Sequence, residues 1–180
     1  MSESIPVIDT ERLQLKGPKV EDFPAFAAMW ARPELTREIT GKPLTEEEAW
    51  TRLLRNAGLW PLVGYGYWHV FERNTDALVG QVGFADFHRN LTPSLREMPE
   101  IGWIISPDHQ GKGYATEAAR AAIRWGDANF SEKKKMCCII GVENTPSICI
   151  AEKCGFSFIA SAHYNGKAIN VYHRPIAPHG

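Results

Sequence analysis

The chain has 180 residues, 44% of them apolar and 23% charged, with 20 Lys and Arg against 21 Asp and Glu. That size suits one domain spanning residues 1–180, and the composition excludes a disordered or membrane-embedded chain. The formal charge of −1 excludes a large electropositive footprint for nucleic acid.

The one basic run, Lys133-Lys134-Lys135, reads as a solvated turn before a strand. Met1–Thr10 lacks the basic and apolar blocks of a leader, and no stretch approaches the ~18 apolar residues of a membrane span. A cytoplasmic protein that binds neither membrane nor nucleic acid is expected. Cys137, Cys138, Cys149 and Cys154 have no C-x-x-C or Cys/His spacing, so they predict reduced, mostly buried thiols and no metal. As neighbours in an apolar run, Cys137 and Cys138 should point to opposite faces of a strand.

Thr10–Lys16 alternates as a strand, and Gly17-Pro18 breaks it. Phe23, Phe26, Ala27 and Trp30 repeat at helical spacing between Val20 and Ala31, and Pro33 is expected to close that helix. Thr45-Glu46-Glu47-Glu48 has the pattern of a capping box opening a second helix, which Gly58 and Pro61 should end. Tyr65–Arg73 and Ala77–Phe84 flank an Asn74-Thr75-Asp76 turn and form a hairpin. A polar loop, Asn90–Pro99, precedes an apolar strand over Glu100–Ile105. A turn with two glycines then leads to a helix over about Tyr114–Ala128, whose stripe of small residues lets it sit close on a sheet. Met136–Val142 reads as a strand buried on both faces, and Asn144–Lys153 as a short helix. Strands Phe156–Tyr164 and Ala168–Arg174 join around Asn165-Gly166, and the tail after Pro175 is expected to fray. The order predicts a mixed α/β fold. A hairpin meander feeds a strand–turn–helix–strand unit in one central, mostly antiparallel sheet of about seven strands and about four helices.

The turn between strand and helix carries the functional signal. Gly111 and Gly113 let backbone approach a ligand closely, and the helix start offers unpaired N–H groups and a positive dipole end. Such a site suits a diphosphate. It is not a Walker loop, because Tyr114 follows Gly113 where Lys-Ser/Thr is required. It is not a dinucleotide fingerprint either, because Thr116 stands at the third glycine and the preceding chain is a meander.

The segment Glu100–Ala118, with Gln110, Gly113 and Ala115 in its core, resembles the acetyl-CoA-binding motif of the GNAT acetyltransferase superfamily. Asn144-x-x-Ser147 and Glu152-Lys-Cys-Gly155-Phe156 are similar to later segments of that superfamily. Thr10-Glu-Arg-Leu and Tyr164-Asn-Gly-Lys resemble its ribosomal-protein N-terminal acetyltransferase (RimJ/RimL-like) branch. The resemblance implies transfer of acetyl from acetyl-CoA, without metal, to an amine acceptor: a protein N-terminus or a small molecule. It places the pantetheine arm beside Ile104, Ile105 and Ser106. The diphosphate falls on Gln110, Gly111, Lys112, Gly113, Tyr114 and Ala115, with Tyr114 also read as a packing residue. Asn144 either bonds the arm or caps its helix.

Direct attack needs a neutral amine. An α-amino group near pKa ~8 is neutral about a tenth of the time at pH 7, whereas a Lys amine near ~10.4 hardly is. A base therefore helps, and Glu100 is the first candidate by resemblance, against a role as a strand-end or loop anchor. His88 and Asp86 are alternatives. The Tyr that often protonates the leaving thiolate is replaced by Ala151, and the branch offers Ser147 instead, against a local helix-start role for it. Trp60, Tyr65, Tyr67, Trp68 and Trp103 line a cleft or fill the core. The competing functions are an acyl-CoA sensor or inactive relative, motivated by Ala151, and an ATP-using enzyme. The sequence fits either a monomer or a homodimer.

Overall fold

The computed structural model describes residues 4–177. Eight strands form one sheet: β1 (Ile8–Asp9), β2 (Leu13–Lys16), β3 (Tyr67–Glu72), β4 (Ala77–Ala85), β5 (Glu100–Ile105), β6 (Lys135–Gly141), β7 (Ser157–Tyr164) and β8 (Lys167–Pro175). Their order is β1-β2-β3-β4-β5-β6-β8-β7, antiparallel throughout except where β5 meets β6. Among the described residues there are five helices: α1 (Phe23–Trp30), α2 (Pro33–Thr36), α3 (Glu46–Val63), α4 (Tyr114–Asn129) and α5 (Thr145–Lys153). The expected mixed α/β class holds, with eight strands instead of about seven. The additional strand, β1, has two residues, too few for an alternation to show.

Two helix boundaries differ from the sequence reading. Pro33 opens α2 as well as closing the helix before it, because a proline is tolerated in a first turn. Gly58 and Pro61 do not end α3, which runs on to a left-handed cap at Gly64. Pro61 forgoes one backbone bond. Trp60 beside it is buried and donates Nε1–H to the Tyr67 carbonyl at 3.0 Å, which holds the last turn. At its other end, α3 has the expected box: Thr45 Oγ1 accepts from the Glu48 amide, and Glu48 accepts from the Thr45 amide. The tail is tied down further than expected: Ile176 donates to the Lys134 carbonyl and Ala177 to Asp127, while residues 178–180 lie outside the described ones.

The sheet is covered on both faces, and this alternation sorts the side chains. Trp68, Val70, Val82, Phe84, Ile101 and Ile105 face α4. Ala118, Ala122 and Gly126 let that helix approach; a Cβ at Gly126 would meet Phe84 and Phe130 at 3.0 Å. Full burial of a side chain such as Phe84 or Val82 is worth about 1.5–3 kcal/mol. On the opposite face, α1 and α3 pack through Phe26, Trp30 and Leu53 around Ile104. Cys137 and Cys138 are both buried and fall into clusters on opposite faces, as their adjacency predicts. Cys149 is the exposed thiol of the four.

A polar pair lies under α1. His69 is fully buried, with Nδ1 2.7 Å from the Asp22 carboxylate and its ring stacked on Phe26. Burial raises the Asp22 carboxyl, but hydrogen bonds from His69 and the Lys19 amide outweigh it and leave the group below the ordinary carboxylate range. A lowered folded value means that Asp22 contributes its full stabilisation above about pH 4 and loses it as the pH falls through that lower value. Asp22→Asn should therefore melt below the parent at pH 7, with the gap closing towards pH 3 in thermal melts taken across that range.

Candidate active site

β5 and β6 run parallel because the chain crosses between them through α4. They pair at one register position, Glu100 opposite Cys137, where the Cys137 amide donates to the Pro99 carbonyl at 3.0 Å. Beyond it β5 stays paired with β4 as far as Ile105, and β6 with β8 as far as Gly141. The two strands therefore diverge, and a wedge opens from Glu100 towards their C-terminal ends. Inside the wedge, backbone polar groups of β5 lack a neighbouring strand and suit an extended amide-bearing ligand.

Strand alternation decides which groups face that gap. The Ser106 amide donates to Val79 at 2.7 Å, and the Ile104 carbonyl presses on Gly80, so both residues turn their backbones towards β4. Of Ile104, Ile105 and Ser106, it is Ile105 whose backbone faces the wedge, together with Trp103. The Ile105 carbonyl already accepts from Gln110 Nε2 at 3.0 Å, so the Gln110 side chain ties the following turn to the strand end.

The wide end of the wedge is lined by two helix starts. Gly113, at φ +81°, is the N-cap of α4 and brings no capping side chain. Gly111 is also left-handed, at φ +76°, with open space where a Cβ would stand. The first bond into the helix is from the Glu117 amide to the Gly113 carbonyl at 3.1 Å, which leaves the amides of Tyr114 and Ala115 without partners among the described residues. These donors and the helix dipole fit a diphosphate. At α5, Asn144 Oδ1 accepts from the Ser147 amide at 3.3 Å, so Asn144 does cap its helix, with its NH2 group left over to donate elsewhere. Ser147 lies half-buried in the first turn of α5. Ala151 is fully buried in the main core, so no hydroxyl replaces the absent Tyr at that position.

The turn before α4 has a brace that sequence reading missed. Glu117 accepts from the Thr10 hydroxyl at 2.7 Å, the Arg12 amide at 2.8 Å and Arg12 Nε at 2.8 Å. Arg12 Nη1 then donates to the Lys112 carbonyl at 2.8 Å, and its guanidinium lies over the Tyr114 ring. Burial alone would raise the Glu117 carboxyl, yet these bonds hold it below the ordinary range and therefore ionised. Tyr114 hydrogen-bonds Glu72 on β3, which suits its reading as a packing residue. Arg12 stood in the Thr10-Glu-Arg-Leu motif, but nothing local could reveal a partner more than 100 residues away.

At the narrow end of the wedge, Glu100 is buried and both its oxygens are gripped by Arg89, at 2.7 and 2.8 Å. Burial lowers the affinity of Arg89 for its proton, but Glu100 and Tyr164 raise it well beyond the usual value, so the guanidinium stays charged. Arg89 was a second residue that sequence reading missed, because it sits in a loop with no readable pattern. The pair anchors the segment before β5, whose Leu91 and Leu95 pack beside Cys137 and Val171. His88 is 70% exposed and pairs with Asp86 at 3.2 Å, and both line a small pocket with Arg89 and Glu100. Trp60 and Trp68 are core aromatics that meet edge-on with Trp125. Tyr67 differs: its hydroxyl lies over Gly102, on the same sheet face as Glu100. Burial, and then the Glu100 carboxylate, push the Tyr67 phenol up to about 12, so it remains a donor. Among the described residues, no cluster of His, Cys, Asp and Glu could hold a metal ion, and no helix is long and apolar enough to cross a membrane.

The chain and its fold have counterparts among known proteins. The chain is 28% identical over 152 residues to the uncharacterized N-acetyltransferase p20 of Bacillus licheniformis, covering 82% of this chain and 80% of that one. The acetyltransferase structure from Agrobacterium tumefaciens superposes with a TM-score of 0.79 at 26% identity, over 96% of both chains. RimL, a ribosomal L7/L12 α-N-protein acetyltransferase in complex with coenzyme A, shares the fold with a TM-score of 0.78 at 19% identity, over 95% of this chain and 98% of that one. The family model for the acetyltransferase (GNAT) domain matches residues 12–157, and the chain belongs to that family.

Proposed function

We propose that this protein transfers the acetyl group of acetyl-CoA to a primary amine, either a protein N-terminal α-amino group or a small-molecule amine, in the cytoplasm. The observation that carries this reading is the wedge between β5 and β6, opening from Glu100 towards the uncapped start of α4. RimL was solved with coenzyme A on the same fold, which supports the cosubstrate.

In this reading the amides from Gln110 to Ala115 hold the diphosphate, with Lys112 and Arg12 adding positive charge at the turn. The arm runs along the wedge face of Trp103 and Ile105 and reaches the NH2 group of Asn144. The amine nitrogen attacks the thioester carbonyl carbon, the C–S bond breaks, and the nitrogen gives up a proton. Glu100 is the base. To accept the proton it releases one of its two bonds to Arg89, which then stabilises the remaining charge. Ser147 donates to the leaving thiolate. Ala151 favours one competing reading, a CoA-binding sensor without turnover.

Thiol release from acetyl-CoA, measured across a panel of N-terminal peptides and small amines, tests the proposal. Amine-dependent release is expected with at least one acceptor class. Coenzyme A binding by calorimetry with no release across the panel would leave the sensor reading in its place.

A further inference from the structure

The side of β5 that carries Glu100 is also the side covered by α3, and α3 brings two arginines to it. Arg52 is half-buried, with its guanidinium 4.1 Å from the centre of the Trp30 ring. Arg55, one turn on, is exposed and lies over the Phe87 ring at 5.1 Å. Arg89 stacks on the same ring at 4.5 Å while it grips Glu100. Arg55 and Arg89 thus share the Phe87 ring, with Arg52 one turn back along α3, and the Glu100 carboxylate is held on both oxygens by Arg89. Among the described residues, neither Arg52 nor Arg55 forms an ion pair.

Both arginines open into a groove of ≈ 540 Å³ along α3, which ends at Leu44, Thr45, Glu47 and Glu48. Glu48 is engaged by Lys42 and the Thr45 amide, and Glu47 lies two turns from Arg55 along the helix. Glu48 lies one turn from Arg52 but is engaged by Lys42, and Arg55, which shares the Phe87 ring with the Glu100-bound Arg89, stands at the end of the groove away from the acids. Burial, followed by repulsion from Arg55, pushes Arg52 down to about 10. Guanidinium groups placed this way match a pair of oxygens on a carboxylate or a phosphate.

We infer that the acceptor amine carries an anionic group, a carboxylate or a phosphate, which Arg52 and Arg55 hold beside Glu100. The inference rests on the acetyl-transfer reading for the amine and on the arginine groove for the charge. It narrows the acceptor class: the amine enters the corner at Glu100, and its anionic neighbour lies back along α3.

Two matched pairs of probes test it. One is the C-terminally amidated tripeptide Ser-Glu-Glu against Ser-Gln-Gln; the other is phosphoethanolamine against ethanolamine. Binding is followed by calorimetry, with and without coenzyme A, and turnover by thiol release. In at least one pair the charged member should bind about ten-fold tighter or more, and the pair that responds tells a peptide carboxylate from a phosphate. In Arg55→Gln, and again in Arg52→Gln, the charged-to-neutral ratio should collapse towards one, while Arg55→Lys keeps most of it. Equal binding within both pairs, or a ratio that survives both glutamine variants, overturns the inference. Turnover without charge preference removes the anion site and leaves acetyl transfer standing. An arginine-dependent preference with no thiol release from any amine does the reverse.

Discussion

Gly113→Val is expected to weaken coenzyme A binding by about 100-fold or more while the protein stays folded. Gly113 holds φ at +81°, a region that a β-branched residue enters only with strain. The nearest atom to an added Cβ is Arg12 Nη2 at 3.4 Å, an ordinary contact with the end of a flexible side chain, so the main penalty falls on the backbone. To relieve it the turn must rotate, and the free amides at the start of α4 rotate with it. Each charge-assisted bond to a phosphate oxygen is worth about 1.5–3 kcal/mol, and two lost bonds amount to roughly two to four orders of magnitude in affinity. Calorimetry with coenzyme A reads the effect, and circular dichroism checks the fold. Glu117→Gln is the companion variant. It leaves the glycines intact and loosens the Arg12 brace, so it should weaken binding by a smaller factor, about ten-fold. Unchanged affinity in Gly113→Val would place the diphosphate elsewhere.

Glu100→Gln should lower kcat by about 10²–10³ and leave coenzyme A affinity where it was, if the carboxylate takes the amine proton. The same change strands Arg89, whose side chain is 18% exposed, with no counter-charge, and breaking such a pair costs about 3–5 kcal/mol. Activity and stability must therefore be read apart. The double variant Arg89→Gln/Glu100→Gln removes both charges and should recover much of the melting temperature without recovering turnover. A double variant that regains activity along with stability would make Glu100 an anchor for the preceding loop and nothing more.

The parts of this protein that could be read from the chain are those whose physics is local. A capping box spans three residues, so α3 began where Thr45 and Glu48 said it would. Gly111 and Gly113 before a small-residue helix announced a tight glycine turn, and both are left-handed in the structure. Adjacent Cys137 and Cys138 had to face opposite sides of a strand, and they do. Tertiary structure decided what depends on partners far along the chain. Pro61 stays inside α3 because Trp60 is held by Tyr67 across the core. Ile105, and not its neighbours, faces the wedge because β4 claims the alternate amides of β5. Glu117 meets Arg12, Glu100 meets Arg89, and Arg55 joins Arg89 on the Phe87 ring only after the sheet has formed. Sequence spacing encodes periodicity and turn geometry, whereas the pairing of charges across the fold has no local signature. The chain alone therefore determined the family and the glycine turn at the start of α4, and the folded sheet decided which charges meet Glu100 and Glu117.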